Sequence, residues 1–248
     1  MEKWKIAVIA ALLLSLVGFG AYQQNQQNQP PTPGPTPSQT PVPSPYLGKV
    51  LPAWNFSTWN TQKPVSLSSL KGKTTLLEIF RIECSHCRDA APFMVALDKR
   101  YGPRGLKMIG IQSPGQTKDP QNPENHWKTV QSWLKEREVK YPVAFDDESR
   151  YFQGTLQKLF LNNDPSKLLY PTLMLIGPDG KIEMAQTGHD TAKAIALAVE
   201  LEKRFPTGKD LAKNAADLAK WLIGRLPELQ TGESMSKALA DDIAQRLK

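Results

Sequence analysis

Cys84 and Cys87 are the only cysteines in a chain of 248 residues, and two residues separate them. No other feature constrains the fold as much. A scaffold held by several disulfides is excluded, and so is a zinc site made of four cysteines. Stability must come from a hydrophobic core, and a composition of 40% hydrophobic and 22% charged residues suits an ordinary globular chain. The pair also sits at a telling place. Before it, Thr74 to Ile82 reads Thr-Thr-Leu-Leu-Glu-Ile-Phe-Arg-Ile, a buried-strand pattern. After it, Ser85 to Tyr101 is helical in pattern, with Ala90, Ala91, Met94 and Leu97 on one side and Gly102 as the stop. Two cysteines at a helix start can close a small disulfide ring. The partial positive charge and free N–H groups of the helix N-terminus favour the thiolate of Cys84. Such a thiolate attacks a partner disulfide, and Cys87 then attacks the mixed disulfide and releases the reduced partner. A zinc site would need two more ligands, for which His86, His126, His189 and carboxylates are available. No metal is expected.

The rest of the chain alternates strand and helix. Strands are expected at Ala53 to Phe56, Val65 to Leu67, Leu106 to Ile111 and Tyr141 to Phe145. Helices are expected at Trp127 to Glu138, at Tyr151 to Phe160, and at Thr191 to Arg204 with Asp190 as its cap. Leu173 to Ile176 and Lys181 to Met184 flank the turn Gly177-Pro178-Asp179-Gly180 and form a hairpin. Right-handed crossovers then give an α/β fold: a central, mainly parallel sheet, helices on both faces, and an antiparallel edge from the hairpin. Residues 207–248 follow as a helical extension. Leu211, Ala215, Leu218 and Leu222 form one apolar stripe, and Met235, Leu239, Ile243 and Leu247 a second. They suit two helices packed on their own domain, or a surface for a partner.

The N-terminal residues carry an address. Lys3 and Lys5 precede an apolar run from Ile6 to Tyr22, and about 17 residues is the lower limit for crossing a bilayer. Residues 1–22 are therefore a signal peptide or a signal anchor, and the domain is expected on the periplasmic or extracellular face. Residues 23–46 are a flexible linker rich in Gln and Pro, which cannot bury apolar area and favours polyproline II. Its proline-rich part reaches roughly 50 Å. A spacer is useful if the apolar run stays in the membrane, so the anchor is the favoured reading. The folded domain is expected over 47–206. The net charge of +7 is scattered among acids, which speaks for a solvated surface and against nucleic acid as a partner.

Cys84-Ser85-His86-Cys87, placed after Leu76-Leu77-Glu78-Ile79-Phe80, resembles the thioredoxin superfamily. Glu78 lies where that family carries a buried acid, and Pro92 where a proline kinks the active-site helix. Tyr170-Pro171-Thr172 lies where the family has its cis-proline. The extension, the long segment between Gly110 and Tyr141, and the exported, tethered architecture resemble the TlpA-type branch, whose members serve redox tasks such as cytochrome c maturation. The resemblance implies a thioredoxin-like fold with a mixed sheet, an N-terminal strand extension and a C-terminal helical extension. It implies thiol-disulfide exchange with protein thiols or disulfides through a redox-active Cys84–Cys87 disulfide, with no other cofactor and a membrane thiol-disulfide donor or acceptor as second partner. Cys84 is the expected nucleophile, Cys87 the resolving thiol, Glu78 its proton acceptor, and Pro171 the residue packed against Cys84. His86, next to Cys87, is expected to stabilise the thiolate and make the disulfide more oxidising.

Two other readings compete. A thiol peroxidase of peroxiredoxin type would need Pro-x-x-x-Thr/Ser-x-x-Cys, but Leu77 stands at the proline position and Arg81 at the hydroxyl position. A tethered copper chaperone would use both thiols and a distal histidine, such as His126 or His189, but with three residues between its cysteines. The direction of electron flow stays open: His86 leans toward an oxidant, and the TlpA-like architecture leans more strongly toward a reductase.

Overall fold

A strand in which all six residues are buried, Thr75–Phe80 (β1), forms the middle of the molecule. In this computed structural model the described residues are 44–114, 123–164, 166, 169–226, 229 and 233–248. The apolar run of residues 1–22 and nearly all of the Gln- and Pro-rich tract lie outside them. Residues Ser44–Lys248 form one compact unit.

Five strands are ordered β3-β2-β1-β4-β5, where β2 is Lys107–Gln112, β3 Val143–Phe145, β4 Thr172–Ile176 and β5 Ile182–Thr187. The strands β1, β2 and β3 run parallel, while β4 pairs antiparallel with both β1 and β5. Side chains alternate across β1. Leu76 and Phe80 enter one core layer, and Leu77 and Ile79 enter the other. The Leu76–Phe80 layer is covered by helices α1 (Ser85–Tyr101), α2 (Pro123–Glu136), α4 (Thr191–Arg204) and α5 (Leu211–Ile223). The opposite layer is covered by the N-terminal segment, a π-helical turn at Arg150–Leu156, and the short α3 (Gln157–Phe160).

The bounds of α1 and α4 coincide with those expected from the sequence, and the Asp190 carboxylate caps α4 by accepting the Lys193 N–H at 2.8 Å. Three differences stand out, the first over two neighbouring segments. Ala53 to Phe56 and Val65 to Leu67 are not strands; Leu67–Leu70 is a 3₁₀ turn. The aromatic rings in this stretch anchor rather than pair: Trp54 and Phe56 stack on each other and both meet Tyr151 edge-on, and the Trp54 indole donates to the Val65 carbonyl at 2.7 Å. The segment instead shields both sheet edges through isolated bridges, Val50 to Lys181 beside β5 and Trp59 to Ala144 on β3. Second, α2 starts at Pro123, before the expected Trp127. Third, the expected helix over 151–160 begins as a π-helical turn, for a reason given below.

The C-terminal extension packs on its own domain. Leu218, Leu222 and Ile243 are fully buried in the layer that holds α1, and Leu239 and Leu247 pack against it. Of the first stripe, Leu211 stays exposed. The second stripe lies on α6 (Glu233–Leu247).

Candidate functional site

Cys84 ends the loop after β1 and is the N-cap of α1, with extended backbone (φ −77°, ψ 123°). Its side chain makes no capping bond, so the sulfur is left for other contacts. The thiol is half-buried and donates to the Tyr170 carbonyl at 3.7 Å. Cys87 lies one turn further on and is 1% exposed. Both cysteines are thiols in this structure. Burial pushes the Cys87 thiol far above its ordinary range; the neighbouring Cys84 and Glu78 add to the rise, and a hydrogen bond with the Arg81 backbone opposes it. The two sulfurs therefore differ in kind. One is reachable, and the other keeps its proton unless a base removes it.

Glu78 is the acid nearest in character to such a base. It lies in the centre of β1, 3% exposed, opposite Gly110 on β2 and Leu173 on β4. Burial raises its carboxyl from 4.5 to about 7, partly offset by a hydrogen bond from the Tyr141 hydroxyl to Glu78 Oε2 at 3.0 Å. An edge position facing solvent is thus ruled out for this residue.

The peptide bond between Tyr170 and Pro171 is cis, and Pro171 is buried at the start of β4. Tyr170, whose carbonyl meets Cys84, is held from three sides. The Arg81 guanidinium lies over its ring at 5.0 Å, Phe152 meets it edge-on at 5.0 Å, and its hydroxyl reaches Ser113 Oγ at 3.5 Å. Ser113 in turn donates to Asp146 Oδ2 at 3.0 Å. Pro92 lies inside α1, as the sequence suggests.

The structure thus brings Cys84, Cys87, Glu78 and the Tyr170–Pro171 turn together. His86 is exposed in the first turn of α1. His126 is partly buried: it packs on Phe145 at 5.7 Å, with Nδ1 3.8 Å from Glu83 Oε1. His189 packs on Phe93 at 5.9 Å. Among the described residues, no group of three or more His, Cys, Asp or Glu could hold a metal ion. Sequence reasoning missed Tyr141, Gly110 and the Ser113–Asp146 pair. Tyr141 lies 63 residues from Glu78, and no local motif marks it.

Comparison with known proteins agrees with this geometry. The chain is 21% identical over 202 residues to the thioredoxin-like protein YneN of Bacillus subtilis (strain 168), covering 82% of this chain and 99% of that one. It is 27% identical over 133 residues to the thiol-disulfide oxidoreductase ResA of the same organism, covering 54% of this chain and 63% of that one. Among solved structures, a thiol-disulfide isomerase from Corynebacterium glutamicum superposes with a TM-score of 0.50 at 21% identity, covering 65% of this chain and 98% of the other. That likeness places the fold among the thioredoxin-like folds. Residues 47–185, more than half of the chain, match the model of the AhpC/TSA family, and the protein belongs to that family.

Proposed function

We propose that the chain is a thiol-disulfide oxidoreductase acting on protein substrates through Cys84 and Cys87, more as a reductase than as an oxidant. The supporting observation is the asymmetry of the two thiols: a half-buried Cys84 at a helix N-terminus beside the Tyr170 carbonyl, and a buried Cys87 in the layer that holds Glu78. The Cys84 thiolate attacks one sulfur of a substrate disulfide, forming a mixed disulfide and releasing the other sulfur as a thiolate. Cys87 gives its proton to the Glu78 carboxylate and attacks Cys84 Sγ. The Cys84–Cys87 disulfide closes, and the second substrate sulfur leaves and takes up a proton. Two electrons pass from the cysteine pair to the substrate. The edge of the Tyr170–Pro171 turn is where an extended substrate segment would lie.

The reading extends to place and partners. The domain works outside the cytoplasm, tethered by residues 1–22, and a membrane thiol-disulfide donor restores the dithiol. Names of the relatives support the exchange chemistry, and the Lys-flanked apolar run supports the tether. Among the described residues, no helix is long and apolar enough to cross a membrane.

The test is insulin reduction by the wild-type protein, Cys84→Ser and Cys87→Ser. Cys87→Ser should accumulate mixed disulfides, Cys84→Ser should form none, and both should lose turnover. Peroxide consumption faster than insulin reduction would overturn the assignment in favour of a peroxidase. The potential of the pair decides the direction: a value well below that of the glutathione pool supports a reductase.

A further inference from the structure

The strand beside Glu78 carries a glycine where a side chain would do damage. Gly110 is the β2 partner of Glu78 in β1 and of Val143 in β3. A Cβ at 110 would lie 2.9 Å from Val143 Cγ2, 3.2 Å from Phe80 Cε1 and 3.4 Å from Tyr141 Cε2. Tyr141 precedes β3 by two residues, on the far side of β2 from Glu78. Its ring nonetheless crosses β2 at Gly110, and its hydroxyl donates to Glu78 Oε2 at 3.0 Å. Both ends of the bond are buried. Val143 and Phe80 close over Gly110, the Tyr141 ring passes beside it in contact, and the Tyr141 hydroxyl rests on the Glu78 carboxylate.

We infer that Tyr141, whose ring passes beside Gly110, is a positioning residue that fixes the Glu78 carboxylate for the Cys87 proton. This rests on the proton-acceptor role proposed above and adds the part that aims and tunes it. A hydrogen bond donated to a carboxylate favours its charged form, so Tyr141 keeps Glu78 able to accept a proton near neutrality. Without it, only burial would act on Glu78, and burial favours the neutral acid. The titratable groups facing the pair are few. Cys87 and Cys84 at the start of α1 and Asp98 near its end are close enough to act electrostatically, Glu78 and Cys84 on Cys87 and Asp98 on Tyr141. Lys107 on β2 acts on Asp98. Tyr141, Asp98 and Lys107 also line a cleft of about 560 Å³.

The test compares the wild-type protein, Tyr141→Phe, Glu78→Gln and the double variant. The readouts are the rate at which Cys87 resolves a preformed mixed disulfide across pH 5–9, and the carboxyl ¹³C shift of Glu78 in the reduced protein. Tyr141→Phe keeps the ring and removes the donor. The Glu78 midpoint should move up by about one pH unit, the scale of one hydrogen bond to a charged group. Resolution at pH 7 should slow several-fold and recover at higher pH. In the Glu78→Gln background, Tyr141→Phe should slow nothing further. An unchanged Glu78 midpoint in Tyr141→Phe overturns the inference, as does an equal slowing in both backgrounds. The two ideas fail separately: if Glu78→Gln resolves as fast as wild type at every pH, the proton-acceptor reading falls, and the ¹³C titration still reports whether Tyr141 sets the carboxyl.

Discussion

Glu78 is surrounded by apolar neighbours on β1, and this has a thermodynamic signature apart from catalysis. Burial raises its carboxyl to about 7 in the folded protein, against an ordinary value of 4.5. The folded state therefore binds the proton more tightly than the unfolded chain. Stability from this group is fully present below 4.5 and is lost as pH rises toward 7. The total is about 3 kcal/mol by linkage. Glu78→Gln removes the dependence. Urea unfolding at pH 5 and pH 8 should show the variant gaining on wild type as pH rises, by about 2–3 kcal/mol between the two. A gap equal at both pH values would sink this account. The same residue shows what a sequence can and cannot disclose. Cys84 and Cys87 were legible as a closely spaced pair at a helix start, while Glu78 and Pro171 stood out only through the family resemblance. Tyr141 and Gly110 were not legible, because their meaning arises only when β3, β2 and β1 lie side by side. His86 was legible as a neighbour of Cys87 but not as an exposed side chain, because helix phase at a cap is set by the cap itself.

The helix α4 and the turn at Arg150–Leu156 show two ways in which an element's start is fixed. The α4 helix carries its cap, Asp190, in its own chain, so its start was readable. The turn at Arg150–Leu156 is organised from outside its span. Asp146, 2% exposed, accepts the Tyr151 N–H at 2.8 Å and the Phe152 N–H at 2.9 Å, and also the Ser113 hydroxyl at 3.0 Å. Reaching that geometry requires positive φ at Glu148 (56°) and Ser149 (52°). An apolar pattern over 151–160 says nothing of a carboxylate that gathers the first turn, and a regular α-helix was the natural expectation. Through Ser113 the same carboxylate supports Tyr170, so it is tied to the site as well as to the turn. Asp146→Ala leaves three buried donors without an acceptor. It should cost about 2–4 kcal/mol in denaturant unfolding and slow insulin reduction. Asp146→Asn, which can still accept at one oxygen, should lose less. If the alanine variant costs under 1 kcal/mol, water replaces the carboxylate and the turn is self-sufficient.

At the scale of the molecule, the question is whether the C-terminal helices are an appendix or part of the redox domain. The sequence left both possibilities because an apolar stripe shows that something is covered, not by what. In the structure Trp221 of α5 packs on Phe93 of α1 at 5.8 Å, and Arg100 of α1 lies over the Trp221 ring at 5.1 Å. Arg100 also pairs with the buried Glu202 of α4 at 3.0 Å, and Tyr101 donates to the same carboxylate. The second half of α1, from Phe93 to Tyr101, is thus fastened to α4 and α5. Leu222 of α5, fully buried in the same core layer, is a clean probe. Leu222→Ala should destabilise the protein by about 2–5 kcal/mol, the usual range for a buried leucine. If the extension and the site unfold as one unit, the buried Cys87 thiol should lose protection by the matching factor, about 30-fold or more. The measurement is Cys87 alkylation in a Cys84→Ser background, with and without Leu222→Ala, beside tryptophan fluorescence during urea unfolding. Faster Cys87 labelling at the coincident midpoint would show one cooperative unit. If Cys87 labels at the wild-type rate while fluorescence reports early melting of α5, the extension unfolds alone. The redox domain would then stand without it.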